Sequence, residues 1–445
     1  MSIATRLIRS GCVVALLASG CAETSGARAH DGMVRLLART ERDRAPASQE
    51  ERPGVGGATL DRRALVTAVL ARNPELEVAR ETWRASVASY TVATALEDPM
   101  ASYVVAPFTI GSSVRFSQTV ELRQKLPWPG KRSSAGDAAL ADADAAKADL
   151  ATLQLDLAGA TIEAFDDDYV AARALEVNKH HRELLERIEK GVLAQYTVGH
   201  GSQQDPLEIR SELISLERDR LMLETQQRAA VAKINRLLHR RAGAELPPPP
   251  PTLELSAPLV QGASAEVAEH PRLLAAKARI RAREADVKHA DRAFYPDFEM
   301  MATYDGFWDA WQQRVMVGVA VNIPLQRDGR HAALEVARAQ QAKASAELTT
   351  AVDMVDEGRD RARQELDEAT HVRDLYEHQL LPVARERVEA ALAGFTTGQS
   401  PFATVVMAEH ALRSAELQLE QARAELDRRA AAVDRSEGRL PGASR

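Results

Sequence analysis

Two stretches of the chain alternate apolar and polar residues one by one, which is the pattern of a β-strand with two different faces. The first runs from Val114 to Leu126, with Gln118 and Gln124 as polar exceptions on the apolar side. The second is more regular, and its apolar positions are Val315, Val317, Val319, Val321 and Ile323. We predict that each stretch forms a hairpin with the segment just upstream, 100–108 or 298–307.

The number and length of these strands restrict how they can be used. Strands of about 10 residues suit a tilted crossing of a bilayer, whereas a two-sided sheet of a water-soluble protein is the alternative reading. A long helical stretch separates the hairpins in the chain, and isolated hairpins are barely stable in water. Because four strands cannot close a barrel, we expect closure between chains, with eight strands for two copies or twelve for three.

Long helical segments surround the strands. Helices are predicted over 60–96 and 263–293, each divided by a proline step at Pro74 or Pro271. The segments 131–198 and 330–397 would each be roughly 100 Å long if fully helical. Return helices over 202–241 and 401–435 carry apolar residues at alternating spacings of three and four, which favours antiparallel coiled coils.

The chain repeats this order of elements. Three X-Pro steps, at Pro74, Pro99 and Pro127, recur 197 residues later, and the Tyr196-to-Gly199 turn recurs 199 residues later at 395–398. Turn residues and helix-breaking residues that recur at a nearly constant distance indicate two copies of one architectural unit. The predicted divisions are a first repeat at 58–246 with its strand hairpin at 98–126, a proline-rich linker at 247–262, a second repeat at 263–438 with its hairpin at 296–325, and a tail at 439–445.

The N-terminus predicts export. Residues 1–20 have a basic start and a short apolar core, as in a secretory signal peptide. The residues that lead into Cys21 are similar to a bacterial lipobox, which implies lipidation of that cysteine and sorting to the outer membrane; a plain signal peptide is the alternative. Residues 21–57 contain Gly, Pro, Ser and Arg without a period, and we interpret them as a lipid-anchored tether.

Composition and charge exclude several classes of partner and chemistry. The net charge of −7 comes without a basic stripe, so we expect no nucleic acid. Only two cysteines occur, both at the N-terminus, which leaves no internal disulfide or cysteine-based metal site. Outside the signal, no apolar run reaches the roughly 18 residues of a membrane helix. We therefore expect any membrane crossing to use the strands.

Taken together, these features resemble the TolC-type outer-membrane efflux proteins. The resemblance covers residues 60–438 and depends on the repeat, the Asn73-Pro74 step, the run Leu126-Pro127-Trp128-Pro129-Gly130-Lys131-Arg132 and the turns at 196–199 and 395–398. It implies an α+β membrane protein and a homotrimer. Twelve strands from three chains would form a transmembrane β-barrel, continued by a long α-helical coiled-coil periplasmic tunnel. The lipidated cysteine is typical of the subgroup that serves resistance-nodulation-division pumps.

The resemblance also implies a periplasmic tip where the long helices turn. Gly199 and Gly398 end these helices, and Asp205 matches the tip aspartate of the first repeat. In the second repeat, Thr404 and Met407 stand where the family commonly has the two carboxylates that surround the closed aperture, so a cation-selective ring is in doubt. Thr404 and Met407 as ordinary packing positions are the alternative, and Glu409 lies on another face of the same helix.

The sequence offers little catalytic chemistry, and we expect no enzyme, no cofactor and no metal site. The neighbours His180 and His181 diverge by about 100° on a helix, which is a poor arrangement for shared chelation. We interpret the cluster Asp166-Asp167-Asp168 as a solvated helix face.

The interpretation is a passive exit duct in the outer membrane that works with a periplasmic adaptor and an inner-membrane pump. The solutes would be heavy-metal cations or drugs. The alternatives are a structural coiled-coil lipoprotein of the cell envelope and a duct for type I protein secretion.

Overall fold

The computed structural model describes residues 25–42, 57–106, 116–197, 202–253, 269–308 and 310–440. The signal peptide, Cys21 and Gly199 lie outside these ranges. The chain divides into two compact units, one made of residues 1–45, 80–149 and 272–351, and the other of residues 46–79, 150–271 and 352–445. None of the helices in the described ranges has an apolar stretch of the length needed to cross a membrane.

The elements follow one another in the order that the sequence pattern predicts, with one added helix at the start. In chain order they are α1 (Ser25–Arg42), α2 (Arg62–Arg72), α3 (Pro74–Thr94), β1 (Met100–Ala106), β2 (Ser117–Leu126), α4 (Lys131–Thr197), α5 (Gln204–Leu237), α6 (Pro271–Arg292), β3 (Phe298–Asp305), β4 (Val315–Val321), α7 (Arg327–Leu375), α8 (Leu381–Thr396) and α9 (Phe402–Ser436).

Helix α1 differs from the prediction of an irregular tether over 21–57. The prolines at 46 and 53 lie beyond its last residue, so they do not interrupt it. The ring of His30 stacks on Tyr90 of α3 with centroids 4.6 Å apart, and Gly26 lies close to the same tyrosine. This tertiary contact could not be anticipated from the local composition.

The Asn-Pro step separates α2 from α3 through side-chain hydrogen bonds. Asn73 Oδ1 accepts from the Glu75 backbone N–H at 2.8 Å, and its Nδ2 donates to the Leu237 carbonyl at 3.2 Å. Pro74 occupies the first helical position, where its missing N–H has no intrahelical partner to lose. Asp61 begins α2 by accepting from the Ala64 N–H at 2.7 Å.

The second long helix contains a π-helical segment, Tyr376–Leu380, between α7 and α8. Pro382 comes two residues after its last residue and has no N–H to donate to an α-helical hydrogen bond. The Leu381 N–H instead donates to the Tyr376 carbonyl. The wider turn therefore carries the helix past the proline without ending it.

The strands form one antiparallel sheet in the order β1, β2, β3, β4. The two hairpins, which a long helical stretch separates in the chain, pair with each other in space, because β2 pairs with β3 from Thr119 opposite Asp305 to Leu126 opposite Phe298. Two hairpins that are distant in sequence thus satisfy each other's inner edges. Strands β1 and β4 are the two outer strands of this sheet within the described chain.

The turn after β2 differs between the two repeats. Gly130 has a φ of +93°, a conformation that side chains rarely adopt, and Arg292 occupies the space that a Cβ would need. Its counterpart Gly329 lies inside α7 with open space around it. The glycine is therefore required by the backbone in the first repeat only.

Candidate functional site: the two sheet faces and the helical tip

The sheet has one apolar and one polar face. Cross-strand register places Tyr103, Val120, Tyr304 and Val315 in one row, and the neighbouring row on the same face contains Leu122, Ala302 and Val317. These positions are largely open: Val317 is 76% exposed. An exposed apolar sheet face of this kind is favourable against lipid and unfavourable in water.

The opposite face carries the polar and charged side chains of the same strands. It includes Ser102, Thr119, Glu121, Arg123, Lys125, Glu299, Thr303 and Asp305, with Met316 in the row of Glu121. Arg123 pairs with Glu121 at 2.7 Å on this face. The alternation of apolar and polar sides is clearest along β2 and β3, and it is the arrangement of a membrane barrel with a water-filled interior.

The two glutamines on the apolar face are both hydrogen-bonded. Gln118 Oε1 accepts from the Tyr103 hydroxyl at 3.0 Å, and Gln124 Nε2 donates to the Glu97 carbonyl at 2.8 Å. These bonds remove most of the cost of a polar group on an apolar surface. The exceptions in the alternating pattern therefore do not disrupt the face.

Aromatic side chains lie at both ends of the sheet. At one end, Trp128 stacks on Tyr295 at 5.2 Å and on Phe298 at 5.7 Å. At the other end, Phe307, Trp308 and Trp311 are exposed in and beside the β3–β4 connection. Girdles of aromatic residues at the two ends of an apolar band are typical of membrane strands, because the rings are amphipathic.

Asp297 joins the start of β3 to the start of α4. Its Oδ1 accepts from the Trp128 backbone N–H at 2.8 Å and from Lys131 Nζ at 2.7 Å. The residues Trp128 and Lys131 belong to the Pro-Trp-Pro-Gly-Lys run of the sequence. The run therefore connects the end of the sheet to the long helix through a charged hydrogen-bonded link.

The helical tip is built around one apolar core in the other unit. Four helix ends contribute to it: α4, α5, α8 and α9, and its buried members are Val192, Ile209, Val388, Ala391, Phe402, Val405 and Ala408. We call this set the tip core. It brings the turn of the first repeat together with the turn of the second.

In the turn of the second repeat, α8 ends at a glycine C-cap motif. Gly398 has a φ of +71°, and its N–H donates to the Phe395 carbonyl at 3.0 Å. The N–H groups of Gln399 and Ser400 both donate to the Gly394 carbonyl, which satisfies the helix end. The rings of Phe395 and Phe402 then meet edge to face at 5.3 Å and close the turn.

The three polar or exposed tip candidates lie within the first two turns of α5 and α9. Asp205 is partly exposed and accepts from the Ser202 N–H at 3.3 Å. Thr404 is partly exposed, and Met407 is 57% exposed on the side of α9 away from the tip core. These positions fit surface groups of a tip, and their role at an aperture stays a prediction.

Two buried polar clusters were not found from the sequence. His181 of α4 is 1% exposed; its Nδ1 contacts Glu409, and its Nε2 lies 2.9 Å from Glu416, both on α9. The sequence did contain a sign of this cluster. Glu409 and Glu416 lie seven residues apart beside the apolar seam of α9, so they share one face of the helix. Glu409 indeed faces away from the tip surface, toward α4.

The second cluster overturns the interpretation of Asp166-Asp167-Asp168 as a solvated face. Asp166 and Asp168 are 0% and 1% exposed, and Asp167 alone is partly open. Asp166 lies 3.6 Å from Arg428, and the neighbouring Asp427 binds Arg62 of α2. Other helices cover more than one side of α4 here. The helical periodicity of the sequence does not show which sides of a helix are covered.

The pKa values of both clusters are displaced. Burial lowers the pKa of His181, but hydrogen bonds to Glu409 and Glu416 outweigh it and raise that pKa to about 9. Burial, and after it the charge of Asp427, raises the pKa of Asp166 to about 9. Within the described ranges, no three His, Cys, Asp or Glu side chains are grouped so that they could hold a metal ion.

Comparison with known proteins links the second half of the chain to a family. Residues 263–439 match the family model described as outer membrane efflux protein, with nearly the bounds of the second predicted repeat. This part of the chain is similar to the outer membrane efflux proteins. No curated protein matches the sequence at a significant level.

Three solved structures illustrate the shared fold of the efflux proteins. CusC, whose structures concern transmembrane channel formation, is 15% identical, with 86% of this chain and 92% of that chain covered and a TM-score of 0.75. The outer membrane protein VceC from Vibrio cholerae is 16% identical, with coverage of 85% and 96% and a TM-score of 0.73. The outer membrane channel MtrE from Neisseria gonorrhoeae is 18% identical, with coverage of 85% and 89% and a TM-score of 0.73.

Identities this low show the fold alone. The shared fold is a barrel-forming sheet with long helices, and this chain supplies four strands to it. The polar and apolar faces described above are those expected of such a sheet. The fold shared with these outer-membrane channels includes the sheet, the long helices and the repeat together.

Proposed function

We propose that this protein is the outer-membrane exit duct of a tripartite efflux system. It would passively conduct small toxic solutes, heavy-metal cations or drugs, from an inner-membrane pump and a periplasmic adaptor to the exterior. No chemical step is required of the duct, because the pump supplies the energy. Size and charge limits would come from the surfaces that line the path.

The observation that carries this proposal is the four-stranded sheet with one apolar face and two outer strands, β1 and β4. In lipid, each unpaired backbone group costs several kcal/mol, so an open edge must be paired. Further copies of the same chain can pair β1 with β4. We propose a homotrimer with twelve strands, in line with the efflux-protein family.

The anchoring and the tip complete the proposal. Lipidation at Cys21 would hold the N-terminus in the outer membrane beside the strands. At the tip, Asp205 would keep an acidic group, while Thr404 and Met407 would present neutral side chains where the family commonly has carboxylates. The aperture would then select by size and polarity more than by a ring of negative charge.

Two other functions fit parts of the sequence. A structural coiled-coil lipoprotein would use the helices, but it has no need for an exposed apolar sheet face. A duct for type I protein secretion would use the same fold with another pump. The apolar face of the sheet favours a duct over the structural role.

Deletion of the gene followed by a toxicity screen tests the function. The screen compares Cu, Ag, Zn, Co and Cd salts with dyes and detergents, and a plasmid copy of the gene serves as the control for complementation. We expect increased sensitivity to one of the two classes, restored by the plasmid. Unchanged tolerance to every compound would contradict an efflux role, and loss of a secreted protein would favour the secretion duct.

A further inference from the structure

Three methionines lie on the polar face of the sheet. Met100 of β1 and Met301 of β3 share one row, and Met316 of β4 lies in the next row on the same face. Among the residues of the four described strands, the remaining methionine, Met300, lies on the apolar face. The sheet thus places most of its thioether groups on the side that the alternating pattern gives to polar residues.

Burial does not explain these side chains on the polar face. Met100 is 69% exposed and Met316 is 42% exposed. An apolar group that stays open to water contributes little hydrophobic stabilisation, and the interior face of a water-filled barrel is normally polar. Methionine differs from other apolar residues by its soft, polarisable sulfur, which is a ligand for soft metal ions. The chemistry of the sulfur therefore fits this face better than the hydrophobicity of the side chain does.

Gly318 makes room for one of the three sulfurs. It lies opposite Met301 in the register of β3 and β4. A Cβ at Gly318 would be 3.1 Å from Met301 Cγ and 3.3 Å from its Sδ, so the thioether group extends over the glycine toward β4. Glycine in the interior of a strand weakens the strand and often marks a place where a ligand or another group approaches closely. A larger residue at this position would displace the sulfur.

Met301 and Met316 are close enough to bind one metal ion together. Met316 comes two residues before Gly318 on the same face, which makes it the diagonal neighbour of Met301. Diagonal positions on adjacent strands lie about 7–8 Å apart, within reach of long side chains. Because methionine is unbranched and has three rotatable bonds, both sulfurs can turn toward one ion while the strands stay in place.

The charges of the polar face favour a cation. The charged residues of this face in the described strands are three carboxylates and two cations: Glu121, Glu299, Asp305, Arg123 and Lys125. Arg123 is bound to Glu121 at 2.7 Å, and Lys125 is bound to Glu97 at 2.9 Å. Both positive charges are thus compensated by a neighbouring carboxylate, and the strands keep a negative excess. A lining with one sign of charge raises the local concentration of ions of the opposite sign.

Closure of the sheet would add a third sulfur to this pair. In the proposed assembly β4 pairs with β1 of the next copy, and Met100 lies on the polar face of β1. A Met100 of the next copy would then lie on the strand beside Met316. The Met100 of the same chain is at the opposite edge of the sheet. The complete set of sulfurs therefore depends on a second copy of the chain.

We propose that Met301 and Met316, joined by Met100 of the next copy, form a thioether site that binds the soft monovalent cations Cu(I) and Ag(I) on the interior surface of the barrel. The cation is cargo that binds during its passage. This inference rests on the proposed duct function, and it favours heavy-metal cations over drugs as the solutes. The sequence did not predict the site, because the pairing of distant strands brings its residues to one face.

Thioether ligands suit a site that must also release its ion. Conduction requires binding that is favourable enough for the ion to enter and weak enough for it to leave, with several neighbouring positions. Thioethers are neutral and select soft ions such as Cu(I). Zn²⁺ is bound in proteins by thiolate, imidazole and carboxylate groups. The site should therefore distinguish Ag(I) from Zn²⁺, which provides a control ion.

Methionine oxidation of the natural full-length protein in lipid vesicles tests the site directly. Hydrogen peroxide converts accessible methionine to its sulfoxide, and a sulfur that coordinates Ag(I) reacts more slowly because a lone pair is committed to the metal. In chloride-free buffer, we expect Ag(I) to slow oxidation of Met301 and Met316 severalfold and to leave the rate at Met300 unchanged. Zn²⁺ should protect none of the three. Equal protection of Met300, or no protection of Met301 and Met316, would overturn the proposal.

Leucine variants separate the sulfur from the shape of the side chain. Leucine has nearly the volume of methionine, so Met301→Leu combined with Met316→Leu should preserve the assembled protein and lower its Ag(I) affinity severalfold in equilibrium dialysis. Gly318→Ala should lower the affinity too, because its Cβ displaces the Met301 thioether. Met300→Leu is the matched control and should bind as the natural protein does. All these proteins share Cys21, so a thiol contribution is the same in each. Unchanged affinity in the double variant would overturn the site.

Complementation of the deletion strain separates failure of the site from failure of the duct function. The gene with Met301→Leu and Met316→Leu should restore less tolerance to Ag and Cu salts than the natural gene, whereas Met300→Leu should restore all of it. Equal restoration by the double variant would contradict a role of the site in passage. A deletion strain with unchanged tolerance to every compound would contradict the duct function, while protection of the methionines from oxidation decides the site independently.

Discussion

Three consecutive aspartates on α4 occupy three different environments. Both oxygens of Asp166 are buried without a hydrogen-bond partner in the described ranges, and the pKa of Asp166 is raised to about 9 by burial and by Asp427. Asp167 pairs with Lys233 at 3.1 Å and with Arg428 at 2.7 Å. Burial raises the pKa of Asp168 to about 6. At this scale, neighbours from other helices decide whether a carboxyl group is charged.

Substitution of Asp166 should reveal its protonated state. Because the folded pKa lies above the ordinary 3.8, stability from this group is complete below that value and is lost as the pH rises toward 9. Asp166→Asn removes this loss, so we expect a gain in unfolding free energy of roughly 1–3 kcal/mol at pH 8 and a smaller gain at pH 5. Thermal unfolding at both pH values measures it.

Asp167→Asn is the control for that experiment. This variant removes partly exposed ion pairs, which are worth about 0–1 kcal/mol. We expect a slight loss of stability with little difference between the two pH values. A gain of equal size for both variants would contradict a buried, protonated Asp166.

The two faces of the sheet present different chemistry. In β4, Val317 lies on the apolar face with Leu122 and Ala302, and Met316 lies on the polar face with Glu121 and Thr303. The difference is created by adjacent residues of one strand. It therefore provides a paired test of which face meets lipid.

An arginine placed on either side of β4 should have unequal effects. Val317→Arg introduces a charge on the face assigned to lipid, at a cost of about 2–4 kcal/mol at the bilayer midplane. Met316→Arg introduces the same charge on the polar face and should be tolerated. The measurement is the amount of assembled, heat-modifiable protein in outer-membrane fractions. Greater loss for Met316→Arg would reverse the assignment of the faces.

At the scale of the whole molecule, the sheet has two open edges. Within the described ranges, β1 and β4 are the outer strands of the sheet, and their outward backbone groups lack a strand partner. Lipid provides no hydrogen bonds for such groups, so the proposed membrane sheet requires its outer strands to pair with other copies. In that proposal, closure is a property of the assembly.

Disulfide crosslinking between the outer strands should count the copies. Cysteines placed in β1 at Ser102 and in β4 at Met316, Gly318 or Ala320 are expected to join neighbouring chains in at least one combination. The products in a non-reducing gel should extend to three chains and stop there. Single-cysteine variants are the control, and a series that ends at two or continues beyond three would contradict the trimer.

The local pattern of the sequence determined most elements of this protein. Period-two alternation predicted the strands and their two faces, and the recurring proline and glycine steps predicted where the long helices begin and turn. These signals depend only on near neighbours in the chain. The family resemblance added the fold class, which the comparisons confirm.

Tertiary structure alone decided the contacts between distant segments. The pairing of β2 with β3, the stacking of α1 on Tyr90 and the burial of Asp166 and His181 each join residues far apart in sequence. A helical period shows that a residue lies on a certain face, but it does not show whether another helix covers that face or which charge it brings. Those partners determine which of the buried carboxyl and imidazole groups are charged.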